Sequence, residues 1–215
     1  MRILPRSSIN AGKGCCLSIL LIVTMLFLVA CQKSAQLPSL APDAVILAFG
    51  DSLTAGTGAG ETESYPAVLS QLTGRKVVNA GVPGEVSASG VLRLHDLLDR
   101  DHPALLILCH GGNDLLAHQN HQLIADNLHL MLRIAGERGV PVLLVAVPSP
   151  DLMLKPPNLY DELAKEFNIP LEAEVLAHIL GKGSLKSDYI HPNATGYRIF
   201  AEALVTLLKK SGALS

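Results

Sequence analysis

The sequence is poor in charged and aromatic side chains. Only 17% of the 215 residues are Asp, Glu, Lys or Arg, 4% are aromatic, and tryptophan is absent. The chain has no basic run and no stripe of interleaved basic and aromatic residues, which are the features that bind the phosphates and bases of nucleic acid. Its formal net charge is −2. No nucleic acid is therefore expected as a partner.

Cysteine is also scarce, and its positions exclude a disulfide framework. The chain has four cysteines, Cys15, Cys16, Cys31 and Cys109. Cys15 and Cys16 directly precede an N-terminal apolar segment and Cys31 directly follows it, which leaves Cys109 alone inside the run LLILC. We expect Cys109 to be an ordinary buried core residue.

The first 30 residues have the layout of a secretory signal. Their only charges are Arg2, Arg6 and Lys13, and an apolar run of 14 residues follows, Leu17 to Ala30. That run is shorter than the roughly 20 residues that a membrane-spanning helix needs. A plain secretory signal and an uncut signal anchor both fit these residues.

The end of that run, Leu28-Val29-Ala30-Cys31, resembles the lipobox of bacterial lipoproteins. The resemblance implies that residues 1–30 are a lipoprotein signal peptide, removed before Cys31, and that Cys31 is lipidated. Residues 31–43 would then be the lipidated cysteine and a flexible tether, and residues 44–215 the folded domain. Cleavage would leave 14 basic and 19 acidic residues, a net charge of −5. The expected location is the bacterial cell envelope, with the protein anchored to a membrane by its lipid and facing the periplasm.

Short apolar runs alternate with longer stretches of helical periodicity after residue 44. This alternation predicts an α/β fold, in which helices cover both faces of a parallel sheet in three layers. The predicted strands are Val45–Phe49, Lys76–Asn79, Ala104–His110, Val142–Val147 and Ile169–Leu171. The predicted helices are Tyr65–Leu72, Val86–Leu98, His121–Glu137, Leu159–Phe167, Glu174–Leu180 and Asn193–Lys209. One domain with ample core is expected, as a monomer.

The stretch LAFGDSLTAG places Ser52 directly after the first predicted strand. A serine in this position can be a nucleophile or the polar cap of a helix, and the ten residues fit both. Ligands of open α/β sheets bind at the carboxyl ends of the strands. The loops after the first three strands begin at Gly50, Ala80 and Gly111, so all three are predicted to open beside Ser52.

A hydroxyl nucleophile requires a base, a group that orients the base, and donors for an oxyanion. In SDYIHPNATG, Asp188 precedes His191 by three residues, an offset that can place a carboxylate beside the imidazole. Gly81 and Asn113 follow the second and third strands and can supply donors, with the N–H of Ser52 as a third. Each feature has a structural alternative: a helix entry for the Asp-His pair, a turn for Gly81 and an Asx turn for Asn113.

Together, four blocks resemble those of the SGNH, or GDSL, hydrolase family, in the family's order. The blocks are Gly50-Asp51-Ser52-Leu53, Asn79-Ala80-Gly81, Gly111-Gly112-Asn113-Asp114 and Asp188 to His191. The resemblance implies a flavodoxin-like five-stranded sheet and a catalytic set of Ser52, Asp188 and His191. It also implies an oxyanion hole formed by Ser52, Gly81 and Asn113, and no cofactor.

The activity implied by this resemblance is that of a serine hydrolase. It would cleave carboxylic esters, with acyl thioesters or lysophospholipids as further substrates, through an acyl-enzyme on Ser52. Two alternatives are a carbohydrate acetyl esterase of the cell envelope and a non-catalytic lipid-binding lipoprotein. Apolar residues around Gly112–Leu116 favour an acyl chain as ligand. The proline-rich segment Val147–Tyr160 is either a connector or a wall of an acyl groove, with Leu152, Met153 and Leu154 as candidate lining.

Four histidines and two aspartates remain to be interpreted. His110, His118, His121 and His129 recur near helical spacing, but no zinc motif such as H-E-x-x-H is present, and histidines on a helix surface are common. We therefore expect no metal. We expect Asp51 and Asp114 to have structural roles, tying loops through their carboxylates.

Overall fold

Five parallel strands form the centre of the fold in this computed structural model, which describes Met1 and residues 35–215. The strands are β1 (Val45–Gly50), β2 (Lys76–Gly81), β3 (Leu105–Cys109), β4 (Val142–Val145) and β5 (Leu171–Glu172). Their order is β2-β1-β3-β4-β5, and every neighbouring pair is parallel. This is the flavodoxin-like order, so the predicted fold class is confirmed.

The three central strands are apolar runs because helices cover both faces of the sheet. Every residue of β3 and β4 is buried, as are the last five of β1. Strand β2 lies at an edge and begins with the exposed Lys76. Cys109 is a free, buried thiol at the end of β3, as expected.

The helices form the two outer layers. They are α1 (Ser52–Ala55), α2 (Tyr65–Thr73), α3 (Ser87–Asp101), α4 (Gly112–Leu116), α5 (His121–Glu137), α6 (Leu159–Glu166), α7 (Val175–Leu180) and α8 (Ala194–Lys210). Helix α2 packs on α8, and α3 packs on α5. The predicted helices agree with these bounds within three residues, but α1 and α4 were not predicted. Within the described part of the chain, no helix is both long and apolar enough to cross a bilayer.

The chain before β1 differs from the predicted flexible tether. Leu37 and Leu40 are only 8% and 5% exposed. Their N–H groups donate to the carbonyls of Ser211 and Ala213, at 2.8 and 2.9 Å. This part of the predicted tether is therefore packed on the domain, which begins at Ala35, nine residues earlier than expected. Two leucines three residues apart, Leu37 and Leu40, bury their side chains and hold this part of the chain on the domain.

Ala35–Ser215 is a compact unit that contains the whole sheet and one continuous hydrophobic core. A complete core within one segment is what an independently folding domain requires. The predicted signal peptide and the predicted lipidation site, Cys31, lie outside the described residues.

Candidate active site

The three predicted catalytic side chains lie in one line at the carboxyl edge of the sheet. Ser52 is the first residue of α1, directly after β1. Its Oγ lies 3.0 Å from Nε2 of His191. The other ring nitrogen of His191, Nδ1, lies 2.7 Å from Oδ2 of Asp188. The structure therefore brings together a hydroxyl, an imidazole and a carboxylate in the order that a nucleophile, its base and the orienting group require.

Asp188 shapes the loop that presents His191. Its Oδ1 accepts the N–H groups of Ile190 and His191, both at 2.8 Å, which closes an Asx turn. Asn193 then caps α8 by accepting the N–H of Gly196 at 3.0 Å. Because the turn uses Oδ1, Oδ2 is free to bind the imidazole.

The hydrogen bonds of Asp188 also fix the protonation pattern of the imidazole. Partial burial raises the pKa of Asp188, but hydrogen bonds from His191 and the N–H of Ile190 outweigh it and leave the pKa below its usual value. An ionised carboxylate can only accept, so Nδ1 of His191 must carry the donated proton. In the neutral ring, Nε2 is then the unprotonated nitrogen, and it faces the hydroxyl of Ser52.

Asp51 caps the start of helix α1 and has the structural role expected of it. Its Oδ1 accepts the N–H of Leu53 at 3.0 Å, the usual bond of an N-cap residue. The side chain is buried, and Oδ2 has no hydrogen-bond partner among the described residues. Burial raises the pKa of Asp51. The capped turn leaves the N–H of Ser52, at the helix start, without an acceptor in the described chain.

Gly81 does not fit the predicted role of oxyanion donor. Its N–H already donates to Oδ1 of Asn79, at 3.0 Å. A Cβ at this position would lie 2.1 Å from the backbone nitrogen of Ala55. The glycine is thus required for the close approach of α1 to the end of β2, and its N–H is not available to a substrate. The prediction for Gly81 is corrected on this ground.

Gly84, in the same loop, fits the role of oxyanion donor better than Gly81. Its φ is +80°, and a Cβ there would meet no atom within 4 Å. Its N–H donates to no acceptor in the described residues. The N–H of Glu85 donates to the carbonyl of Val82 at 3.2 Å, so Pro83 and Gly84 occupy the two central positions of a turn. The Pro-Gly pair, typical of a type II turn, is the sequence signal that could have identified it.

Asn113 lies in the first turn of α4 and faces the same cavity as Ser52. Its Nδ2 donates to the carbonyl of Glu85 at 2.9 Å, which places the loop of Gly84 beside it. The next residue, Asp114, is fully buried and accepts the hydroxyl and the N–H of Ser87, at 2.6 and 2.8 Å. Asp114 thus ties α4 to the start of α3, the structural role predicted for it.

A cavity of about 500 Å³ opens beside Ser52, a volume typical of small-molecule sites. Ser52, Asn113 and His191 are among the residues that line it. The walls are mainly apolar and include Leu53, Leu116, Val147, Leu152, Leu154, Leu180 and Ile190. The predicted groove wall is therefore present, with one correction. Met153 is 81% exposed and does not line the cavity.

Two of the other histidines, His129 and His110, have partners away from Ser52. Nε2 of His129 lies 3.1 Å from Glu166, and its ring packs edge-on against Phe167. Nε2 of His110 lies 3.1 Å from Oε2 of Glu85. Over the described residues, no three His, Cys, Asp or Glu side chains are placed so that they could hold a metal ion.

Known proteins resemble this chain in sequence and in fold. Thioesterase 1/protease 1/lysophospholipase L1 of Escherichia coli is 30% identical over 172 residues, which cover 76% of this chain and 83% of that protein. The solved structure of AlinE4, an SGNH-hydrolase family esterase, is 33% identical, with a TM-score of 0.61, over 80% of this chain and 98% of AlinE4. The psychrotrophic esterase EstA from Pseudoalteromonas shares the fold, with a TM-score of 0.71 at 22% identity over 78% of this chain and 98% of EstA.

The family comparison covers most of the described domain. Residues 48–199 match the GDSL-like lipase/acylhydrolase family. The matched segment includes Ser52, Asp188 and His191 and the loops that carry Gly84 and Asn113. This chain belongs to the GDSL-like lipase/acylhydrolase family.

Proposed function

We propose that this protein is a serine esterase of lipid-like substrates, which hydrolyses esters of medium or long acyl chains, lysophospholipids and acyl thioesters. The observation that carries the proposal is the position of the Ser52-His191-Asp188 line at the end of a cavity with leucine-rich walls. An acyl chain in that cavity would place its carbonyl carbon near Oγ of Ser52.

The first half of the reaction forms an acyl-enzyme. Nε2 of His191 takes the proton of Ser52 while Oγ attacks the carbonyl carbon, and Asp188 stabilises the imidazolium that results. The same proton then passes from His191 to the leaving alcohol or thiol as its bond to the acyl group breaks. In the second half, a water molecule loses a proton to His191 and attacks the acyl group, which releases the carboxylic acid and restores Ser52.

The negative oxygen that develops in both halves requires donors that are already in place. Ser52 N–H, Gly84 N–H and the second N–H of the Asn113 amide are the three we assign to it, with Gly84 replacing Gly81. Each such donor is worth about 2.7 to 4 kcal/mol in enzymes that transfer acyl groups.

Two observations favour this substrate class over the acetyl esters of a carbohydrate. A cavity of about 500 Å³ is far larger than an acetyl group requires, and its lining is mainly apolar, with five leucine side chains. A relative at 30% identity is named a thioesterase and lysophospholipase. A purely lipid-binding protein would not need the hydrogen-bonded line of Ser52, His191 and Asp188.

Hydrolysis by residues 35–215 tests the proposal. The substrates are 4-nitrophenyl esters from acetyl to palmitoyl, a lysophospholipid and an acyl thioester. We expect activity to increase from acetyl to medium or long chains. Activity on acetyl esters alone would support the carbohydrate esterase, and no activity on any substrate would support the binding protein.

The N-terminal segment supports a second proposal, that the mature protein is a monomeric lipoprotein anchored in the bacterial cell envelope and facing the periplasm. Its support is the lipobox-like Leu28-Val29-Ala30-Cys31. Six residue steps separate Cys31 from Leu37, which is packed on the domain. The chain between the two residues can therefore span about 20 Å at most. Labelled palmitate should enter the full chain but not a Cys31→Ser variant. Absence of label from the unmodified chain would contradict the anchor.

A further inference from the structure

Three charged or titratable side chains meet behind the catalytic residues, outside the cavity. Arg93 of α3 binds both carboxylate oxygens of Glu85, from Nε to Oε1 at 2.7 Å and from Nη2 to Oε2 at 2.6 Å. Nε2 of His110 lies 3.1 Å from the same Oε2. The side chain of Glu85 is 7% exposed and that of His110 is fully buried. None of the three side chains is among those that line the cavity.

The network connects the loops that follow three neighbouring strands. Nη2 of Arg93 also donates to the carbonyl of Gly50, the last residue of β1, at 3.1 Å, and to that of Ala80 in β2, at 2.9 Å. Gly50 lies two residues before Ser52. His110 directly follows β3 and precedes the loop of Asn113. One guanidinium and one carboxylate thus set the spacing of the three loops that carry the proposed oxyanion donors.

Neighbouring residues make room for the network and add contacts to it. Nδ1 of His110 accepts the N–H of Gly111 at 2.9 Å, so Nε2 of the neutral ring carries a proton and donates to Glu85. A Cβ at Gly90 of α3 would lie 2.6 Å from that Nε2, so only glycine leaves room for the ring. The guanidinium of Arg93 lies 4.1 Å above the ring of Phe49. Buried ion pairs add little net stability because desolvation offsets their attraction, which leaves positioning as the main consequence of such a network.

Glu85 connects the network directly to a proposed oxyanion donor. Its backbone carbonyl accepts one N–H of the Asn113 amide at 2.9 Å, which fixes the plane of the amide and the direction of the second N–H. We propose that Glu85 is a positioning residue, which Arg93 and His110 hold in place so that its carbonyl orients the Asn113 amide toward the developing oxyanion. This inference rests on the proposed serine-esterase function.

The expected effect is a loss of kcat without a loss of substrate affinity. Glu85→Gln keeps the size of the side chain, but its amide nitrogen cannot accept a hydrogen bond. The variant therefore loses at least one hydrogen bond from Arg93 and the negative charge that pairs with the guanidinium. A shift of about 1 Å in a positioned group can reduce a rate by roughly 100-fold. We expect kcat to fall by roughly 10- to 100-fold and KM to change by less than about twofold, because the oxyanion donors act in the transition state. Glu137→Gln, which breaks an exposed ion pair with Arg133, is the matched control and leaves both values unchanged.

A double-mutant cycle with Asn113→Ala distinguishes positioning from general support of the fold. If Glu85 acts through Asn113, the effect of Glu85→Gln on kcat shrinks below about threefold when the amide is absent. The proposal would be overturned if Glu85→Gln reduced kcat as strongly in the Asn113→Ala background as in the unmodified protein. An unchanged kcat in Glu85→Gln alone would also overturn it. Should Glu85→Gln fold poorly by thermal melting, Arg93→Lys is used in the same cycle. Hydrolysis that survives Ser52→Ala would instead reject the proposed function itself.

Discussion

Nε2 of His191 lies 3.0 Å from Oγ of Ser52, although 139 positions of the sequence separate the two residues. The parallel sheet explains this contact. Ser52 follows a central strand at its carboxyl end, and the capped start of α8 brings the loop of His191 to the same edge. The meeting of Ser52, His191 and Asp188 is thus a consequence of the strand order and of the caps at the starts of α1 and α8.

Asp188→Asn should reduce kcat by roughly 10²- to 10⁴-fold. The new amide can donate to Nδ1 of His191, which would place the ring proton on Nε2 and leave no base facing Ser52. Steady-state kinetics on a 4-nitrophenyl ester measures this loss. Asp126→Asn, at an exposed aspartate that accepts from Gln122 on α5, is the control and should retain full activity. Activity equal to that of the unmodified protein would reject the role of Asp188.

Two helical glycines should respond to alanine in opposite directions. At Gly90, the added Cβ would lie 2.6 Å from Nε2 of His110 and 2.9 Å from Cε of Met131, so we expect a loss of about 1–3 kcal/mol of unfolding free energy. At Gly136, nothing lies within 4 Å, and the alanine should add about 0.5–1 kcal/mol. Urea denaturation measures both. A Gly90→Ala variant as stable as the unmodified protein would contradict the close contact with His110.

Glu85 should make stability depend on pH in the acid range. Burial raises its pKa, but hydrogen bonds from His110 and Arg93 and the charge of Arg93 outweigh it, and the pKa falls from 4.5 to about 2. A carboxyl with a depressed pKa stabilises the fold above its unfolded pKa, and this contribution is lost as pH falls through the folded pKa. We expect the unfolding free energy to fall between about pH 5 and pH 2, and to fall less in Glu85→Gln. Equal slopes in the two proteins would contradict this assignment.

The room along the cavity wall should set the acyl-chain preference. Gly181 lines the cavity, and a Cβ there would lie 3.1 Å from the carbonyl oxygen of Ala177 and 3.8 Å from Cδ1 of Leu154, another lining residue. Gly181→Val should therefore shift the preferred ester toward shorter chains and leave acetyl ester hydrolysis within about twofold. Gly183→Val is the matched control, because nothing lies within 4 Å of a Cβ there and the residue does not line the cavity. A chain-length profile unchanged by Gly181→Val would place the acyl chain elsewhere.

Most of the sheet could be predicted from the sequence because its central strands are buried on both faces. That burial produces continuous apolar runs at β1, β3 and β4, which the sequence shows directly. Helices α1 and α4 were missed because they are four and five residues long and carry no apolar periodicity. Their starts depend on the Asp51 cap and on Gly111 at φ +104°. Neither feature gives a periodic signal.

The meeting of Ser52, His191 and Asp188 could be predicted because the spacing is local, as in the Asp188-His191 turn, or because the motif is distinctive. Which of Gly81 and Gly84 offers a backbone N–H to a substrate could not be predicted from the sequence. It depends on whether the side chain of Asn79 accepts the N–H of Gly81. The network of Arg93, Glu85 and His110 was also beyond sequence interpretation. Its members come from three elements and meet only when those elements are packed.

The measurement that tests the account most directly is covalent labelling by a long-chain fluorophosphonate, followed by peptide mass spectrometry. This probe reacts with an activated serine and leaves a stable adduct in place of the acyl-enzyme. We predict one adduct per chain, on Ser52, and neither labelling nor ester hydrolysis in Ser52→Ala. A label on another residue, or hydrolysis that survives in Ser52→Ala, would contradict the assignment of Ser52 as the nucleophile.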